Sequence, residues 1–471
     1  MGARELSPPL VRGLAAARAY ARFLVDPIGY LRESYRRHGP LHLLGAPLPL
    51  LPPRRRYVFA LGPDHNRVVL GDPVTFRTTG QTLPGPKGSA QRRLRYGLTR
   101  SQREAHARQR ELVLPVFQRA AVDRSIPRMV AVVDELLDRW RVGQTLDMAH
   151  EMKWVSLRLS SEILFGRDDP ERALRLGEMI GEWLERNFRP GVWLALLNVP
   201  GTPYRALLRH AERLEAEIGA LLDRRRRAGA AGGDVFSLLV RAHAEGQPWM
   251  SDRDLVGQAT ILFAASYETT ENALAWTLFL LAQHPERTEE IAEELAGALG
   301  GAAPGAAELA RLPLLDAALR ESLRLLPPVP YTIRSVEGEV ELAGATLRRG
   351  DRVVLSHYVT HHLPELYAEP ERFLPGRWLE LRCTPWEYLP FSAGPRLCIG
   401  FSFANVAMKV VVARILQRFR FALRPGTRID PWVKVTMAPR RGLPMALHAP
   451  GAKLAPQPVR GRIRELVDLP V

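Results

Sequence analysis

Phe391-Ser392-Ala393-Gly394-Pro395-Arg396-Leu397-Cys398-Ile399-Gly400 is the stretch on which the reading of this chain turns, and an apolar helical run follows it to about Phe419. A cysteine in front of a helix receives backbone N–H bonds and the favourable end of the helix dipole, and both hold it as a thiolate. A thiolate is a polarisable donor that can ligate iron, and its electron density favours O–O cleavage. Gly394 and Gly400 lack the Cβ that would keep a flat macrocycle away from the backbone. Phe391 can screen the sulfur, and Arg396 can pair with a carboxylate on the ring. A lone cysteine in this setting is usually just a small buried residue. Five fixed positions, Phe391, Gly394, Arg396, Cys398 and Gly400, outweigh that reading.

The decapeptide closely resembles the haem-binding loop of the cytochrome P450 superfamily, and further motifs follow in family order over roughly residues 20–449. The family's Glu-x-x-Arg pair matches Glu321-Ser-Leu-Arg324, 77 residues before the cysteine; Glu33-Ser-Tyr-Arg36 also fits the pattern but lacks the setting. The next motif resembles Pro370-Glu371-Arg372-Phe373-Leu374-Pro375-Gly376-Arg377-Trp378. The resemblance implies a structural network of Glu321, Arg324 and Arg372 behind the haem.

On the oxygen side, Ala265-Ser266-Tyr267-Glu268-Thr269-Thr270 resembles the family's acid–alcohol motif, which implies Glu268 and Thr269 as the catalytic pair. The alcohol can hold a hydrogen bond near oxygen while the carboxylate relays protons from water. A threonine hydroxyl can also bond to the carbonyl one turn back and distort the helix. Ser266 stands where the family usually has glycine. His106 and Arg110, four residues apart on a helical pattern, and Arg334 resemble the family's propionate contacts, joining Arg396. Matching positions imply a substrate pocket of Ile261, Ala264, Ala265, Val329, Pro330, Tyr331 and Thr332. His357, His361 and His362 have no cysteine or acid to complete a metal site, so none is expected there. His362 and Leu363 replace the Arg and Asp of a family turn, and Ala407 stands where glutamate is frequent.

Composition is that of a globular protein: 471 residues, 46% hydrophobic, 25% charged and 7% aromatic. Two cysteines, Cys383 and Cys398, exclude a disulfide scaffold and a four-cysteine zinc site, and point to an intracellular, cytoplasmic setting. The net charge of +16 is carried almost wholly by arginine, with five lysines in the chain. It reflects either coding bias on a solvated surface or a face that attracts an acidic electron donor. No signal peptide is expected, because Arg12, Arg18 and Arg22 break the early apolar run. Leu255–Gln283 carries Gln258, Glu268, Glu271 and Asn272, too polar for a transmembrane anchor. Leu41–Pro53 is expected to be strand and turn.

Helical spacing predicts Arg103–Ala120, Arg128–Arg141, Trp154–Phe165, Tyr204–Arg227 and a central helix of more than thirty residues from Ser251 to His284. Strand signals fall at Tyr57–Leu61, Val336–Leu342, Arg352–Ser356 and Met445–His448, with a hairpin over Val340–Leu347. The expected fold is mainly α with small β-sheets (α+β): one cytochrome P450-like haem domain over residues 1–449, its long central helix over haem, then a C-terminal tail over 450–471 with one short amphipathic turn. The resemblance implies haem b with a cysteine thiolate ligand, Cys398 being the metal ligand. It implies a monooxygenase that oxidises a hydrophobic small molecule with electrons from a ferredoxin or flavodoxin and its reductase. A monomer without nucleic-acid partners is expected. A peroxide-dependent or non-oxygenating haem-thiolate enzyme is the alternative, disfavoured by Glu268-Thr269, and a haem-binding sensor is a further one.

Overall fold

Ser251 opens the element that organises the molecule. Its hydroxyl accepts from the Asp254 N–H while the Asp254 carboxylate accepts from the Ser251 N–H, a reciprocal cap that starts the helix Asp252–Gln283. The computed structural model describes residues 8–45, 55–80, 82–166, 169–189, 191–192, 196–229, 232–246 and 251–470. The 32 residues of this central helix span about 48 Å. Its apolar residues do not form one stripe because the helix is covered nearly all round. It packs on helices Met148–Phe165, Pro170–Asn187, Pro313–Leu325 and Phe401–Arg418. Pro285 ends it by starting the next helix, Pro285–Leu299.

The expected helix Arg103–Ala120 ends at Phe117, because Gln118 is extended (φ −65°, ψ 148°). The next helix starts at Arg119 and runs to Leu137, so the expected Arg128–Arg141 begins nine residues earlier and stops four earlier. The predicted strand Val336–Leu342 is two. Thr332–Val336 joins a six-stranded sheet, and Val340–Leu342 pairs with Ala345–Leu347 as a separate hairpin, the polar Glu337-Gly338-Glu339 dividing them. The six-stranded sheet has the order Leu10–Val11, Leu41–Leu44, Tyr57–Ala60, Arg352–Leu355, Thr332–Val336, Phe76–Thr78. Of the Leu41–Pro53 expectation, Leu41–Leu44 is a strand and 46–53 lies outside the described residues. Among the described residues, no helix is long and apolar enough to cross a membrane.

Residues 450–470 do not hang off the domain. They run back across it as a strap that places Val459, Ile463, Leu466, Val467 and Leu469 in the main core. Ile429 N–H donates to the Arg460 carbonyl (2.8 Å), Asp468 N–H to the Glu371 carbonyl (2.9 Å), and Arg462 pairs with Asp26 (2.6 Å). The short amphipathic turn expected there is the 3-10 turn Arg462–Glu465, with Ile463 as its buried face.

Candidate active site

The cysteine loop is set by its own backbone. Gly394 has φ +69°, and a Cβ there would stand 2.6 Å from the Leu70 carbonyl oxygen, so the position accepts only glycine. Cys398 N–H donates to the Phe391 carbonyl (3.0 Å), closing the loop on itself. Phe391 packs edge-on against Phe401 (4.9 Å between centroids), the first residue of the helix Phe401–Arg418. The surface that Cys398 exposes opens on a cavity of about 340 Å³ between this loop and the central helix. Burial pushes the Cys398 thiol up, opposed by a hydrogen bond from the Gly400 N–H and by the charge of Arg110.

One edge of the cavity is basic. His106, Arg110, Arg334 and Arg396 line it together, and among the described residues no acidic side chain does. Arg110 donates to the Leu397 carbonyl (2.8 Å), which ties its helix to the cysteine loop. Arg396 is held by the carbonyls of Leu98 (3.4 Å) and Ser101 (2.6 Å) and by Gln102 Oε1 (3.0 Å). Among the described residues, Arg334, 6% exposed, makes one side-chain bond, to Thr332 Oγ1 (3.1 Å). Burial, then the neighbouring Arg396, brings Arg334 down to about 10. Burial, then Arg396 and Arg110, brings His106 down to about 4. Buried cations without a counter-charge are costly, so the rim is built for anions. An apolar plane with carboxylates on one edge and a metal over Cys398 fits these donors, and haem has that form. His357 is a residue the sequence reading missed in this role. It lines the cavity beside Arg334, and burial brings it down to about 4, opposed by a backbone hydrogen bond at Val329.

The central helix forms the facing wall. Thr269 Oγ1 donates to the Ala265 carbonyl (3.0 Å), which leaves its lone pairs free to accept from the cavity. Thr270 does the same to Ser266 (2.9 Å). The helix runs unbroken through these residues. Ser266, the departure from the usual glycine, spends its hydroxyl on the Phe263 carbonyl (2.9 Å). Glu268 does not line this cavity. It points to the other side of the helix, where Thr436 donates to its Oε1 (2.7 Å), and burial raises it despite that bond and the charges of Lys434 and Lys153.

Of the seven implied pocket residues, Ala265, Val329 and Thr332 line the cavity. Ile261, Ala264, Pro330 and Tyr331 do not. Ile261 packs on the backbone of Gly97, and Ala264 joins the main core. Pro330 spends its carbonyl on Tyr358 and Ser356, while Tyr331 turns to Phe23. Leu262, Leu98, Thr99 and Phe117 line the cavity without having been read from the sequence. The helical period places Leu262 one turn ahead of Ser266 and could have found it.

The structural network needs one correction. Glu321 and Arg324, both fully buried, pair in a bidentate bond (2.9 Å each). The second arginine on Glu321 is Arg377 (3.1 Å), with Trp378 Nε1 (2.8 Å) and the Leu374 N–H (3.0 Å) completing the shell. Arg372 enters only through its carbonyl, which accepts from Arg324 (3.1 Å), while its side chain lies on the surface beside Glu369. His361 supports the same region, accepting the Leu389 N–H at Nε2 (2.8 Å).

Residues 48–443 match the family described as Cytochrome P450. A protein of Mycobacterium tuberculosis designated cytochrome P450 139 is 30% identical over 440 residues, 89% of this chain and 99% of that one. The cyclooctat-9-en-7-ol 5-monooxygenase of Streptomyces melanosporofaciens is 31% identical over 425 residues, covering 86% of this chain and 90% of the relative. Among solved structures, a cyanobacterial CYP120A1 with retinoic acid bound superposes with a TM-score of 0.79 at 23% identity, over 94% of this chain and 100% of that one. With the match running through most of its length, the chain belongs to the cytochrome P450 family of haem-thiolate monooxygenases.

Proposed function

We propose that this enzyme uses haem b, O2 and two externally supplied electrons to hydroxylate or epoxidise a hydrophobic small molecule. The observation that carries the reading is that Cys398, the basic rim and Thr269 open on one cavity whose remaining walls are mainly apolar. Haem bound at Cys398 supplies the oxygen activation. The chain's own residues hold and orient. The Gly400 N–H and the charge of Arg110 favour the thiolate against burial. Arg110, Arg334, Arg396 and His106 take the carboxylates. Thr269 offers its lone pairs to the cavity and takes part in proton transfer with Glu268, and Ala265, Val329, Thr332 and Leu262 exclude water and seat the apolar substrate. Glu321, Arg324 and Arg377 keep the cysteine side in place.

The relative named for cyclooctat-9-en-7-ol acts on an unsaturated alcohol of the hydrophobic kind proposed here. Electrons come from a ferredoxin or flavodoxin with its reductase, and exposed arginines on the helix that carries His106, Arg103 and Arg108 among them, suit an acidic donor. Two unpaired cysteines suit the cytoplasm. The test is the spectrum of the reduced protein with carbon monoxide. The expected result is the red-shifted Soret band of thiolate ligation, lost in Cys398→Ser. An imidazole-type spectrum, or a band that survives the substitution, overturns the reading.

A further inference from the structure

Behind the central helix, on the face turned away from Cys398, lies a second cavity of about 200 Å³. Glu268 and Glu271, one turn apart on the helix, form part of its wall with Asn272. Its mouth is wet: Trp432 is 41% exposed, and the side chains of Lys153 and Glu185, 3.7 Å apart, are 38% and 55% exposed. Among the described residues none lines both cavities, and the helix divides its side chains between them: Tyr267, Glu268, Glu271 and Asn272 face the rear one, Ser266, Thr269, Thr270 and Ala273 the one at Cys398. Glu271 is unusual in this setting. Among the described residues neither of its oxygens has a hydrogen bond or an ion pair, although Glu268 has Thr436. The charged and titratable groups facing it are Lys153 and Glu185 from two neighbouring helices, Tyr267 and Glu268 from its own, and Lys434 and Arg440 from the hairpin that carries Thr436.

We propose that Glu271 is the proton inlet of this enzyme, taking protons from water in the rear cavity and handing them to Glu268 for delivery to Thr269. The proposal rests on the reading of Glu268 and Thr269 as the proton-transfer pair. An O–H bond of hydronium breaks as one forms on the Glu271 carboxylate. That O–H then breaks as another forms on Glu268, and Glu271 is recharged from bulk water, with no electrons moving. The step also explains how Glu268 can serve a cavity it does not face. As a carboxylate it is kept in the polar rear cavity by the Thr436 hydrogen bond and the charge of Lys153. Once neutral, it can turn across the apolar wall at a small fraction of the cost. Burial, with Glu268 and Glu185 as like charges and Lys153 opposing, raises Glu271 to about 8, so it is a proton carrier at neutral pH.

Two measurements decide it. Infrared titration of the holoenzyme should show a protonated-carboxyl C=O band that fades near pH 8 and is missing in Glu271→Gln. Oxygen consumption driven by a surrogate ferredoxin and reductase should fall roughly five- to tenfold in Glu271→Gln, less than the 10²–10⁴ of a directly reacting acid–base group. Guaiacol oxidation driven by hydrogen peroxide, which brings its own protons, should stay at the wild-type rate. The carbon monoxide spectrum verifies that the variant holds haem, and Glu271→Ala replaces it if it does not. A wild-type oxygen rate in Glu271→Gln beside a slow Glu268→Gln overturns the inlet and leaves the pair standing. Wild-type rates in Glu271→Gln, Glu268→Gln and Thr269→Ala alike overturn both. A Glu271 that is ionised at pH 6, or an equal loss with peroxide, also sinks the inlet.

Discussion

Pro370-Glu371-Arg372-Phe373 and Pro375-Gly376-Arg377-Trp378 present the same Pro-x-Arg-aromatic pattern five residues apart, and only the fold tells which arginine works. Arg377 is 11% exposed and reaches Glu321; Arg372 is 51% exposed and reaches Glu369. Arg377→Ala should therefore cost about 3 kcal/mol, because it strips a partner from a fully buried carboxylate. Arg372→Ala should stay within about 0.5 kcal/mol, as surface ion pairs do. Thermal midpoints at one scan rate compare them, and equal losses would restore Arg372 to the network. At this scale the sequence was most legible where local spacing does the work. Glu321 and Arg324 sit three apart on a helix, His106 and Arg110 four apart, and the cysteine loop closes within ten residues. It was least legible where a side chain's direction depends on distant packing, as with Tyr331 turning to Phe23 and His357 turning to the cavity.

The central helix was legible from its cap and its length, but not the closeness of what crosses it. At Gly257 a Cβ would stand 1.9 Å from the Tyr96 carbonyl oxygen and 3.0 Å from that of Arg93, so a backbone segment lies directly on the helix. The Leu98 N–H donates to Gln258 Oε1 (3.0 Å) at the same crossing, and Leu98 and Thr99 go on to line the cavity. Helix propensity alone favours alanine over glycine by about 1 kcal/mol. At Gly257 the clash should win, and Gly257→Ala should lower stability by roughly 1–3 kcal/mol. Gly297, exposed in the helix Pro285–Leu299 with nothing within 4 Å of its Cβ position, is the control. There the same change should raise stability by roughly 0.4–1 kcal/mol. Thermal melts of the two variants read opposite signs, and a stabilised Gly257→Ala would mean that the segment is not seated on the helix. Proton linkage gives this helix a pH signature as well. Glu271 is raised in the folded state, so the folded chain binds more protons than the unfolded one between its ordinary value and about 8. Its presence therefore lowers stability as pH rises through that window, and Glu271→Gln should flatten the decline.

At the scale of the whole molecule, the strap over residues 450–470 is the largest difference between what patterns announce and what packing does. Its apolar residues are sparse and carry no period, since they touch the domain from an irregular path rather than from one face of a helix or strand. Beyond the one amphipathic turn at Ile463, nothing local marks Val459, Leu466, Val467 and Leu469 as core, yet all five are at most 7% exposed. Burying five such side chains at roughly 1.5–3 kcal/mol each amounts to roughly 7–15 kcal/mol as an upper bound. That is as large as the whole net stability of a typical protein. The strap also joins parts far apart in sequence, through Arg462 to Asp26, Ile429 to Arg460 and Asp468 to Glu371. A chain ending at Ala455 should therefore fail to accumulate as folded, haem-loaded protein. Ile463→Ala gives a graded version: fully buried, it should lose about 2–5 kcal/mol. Arg462→Ala, whose side chain is 39% exposed, should lose no more than about 1 kcal/mol. The carbon monoxide spectrum of whatever folds should keep the wild-type band, because the strap residues do not line the cavity at Cys398. Full stability after truncation would show that the strap rests on the domain without holding it.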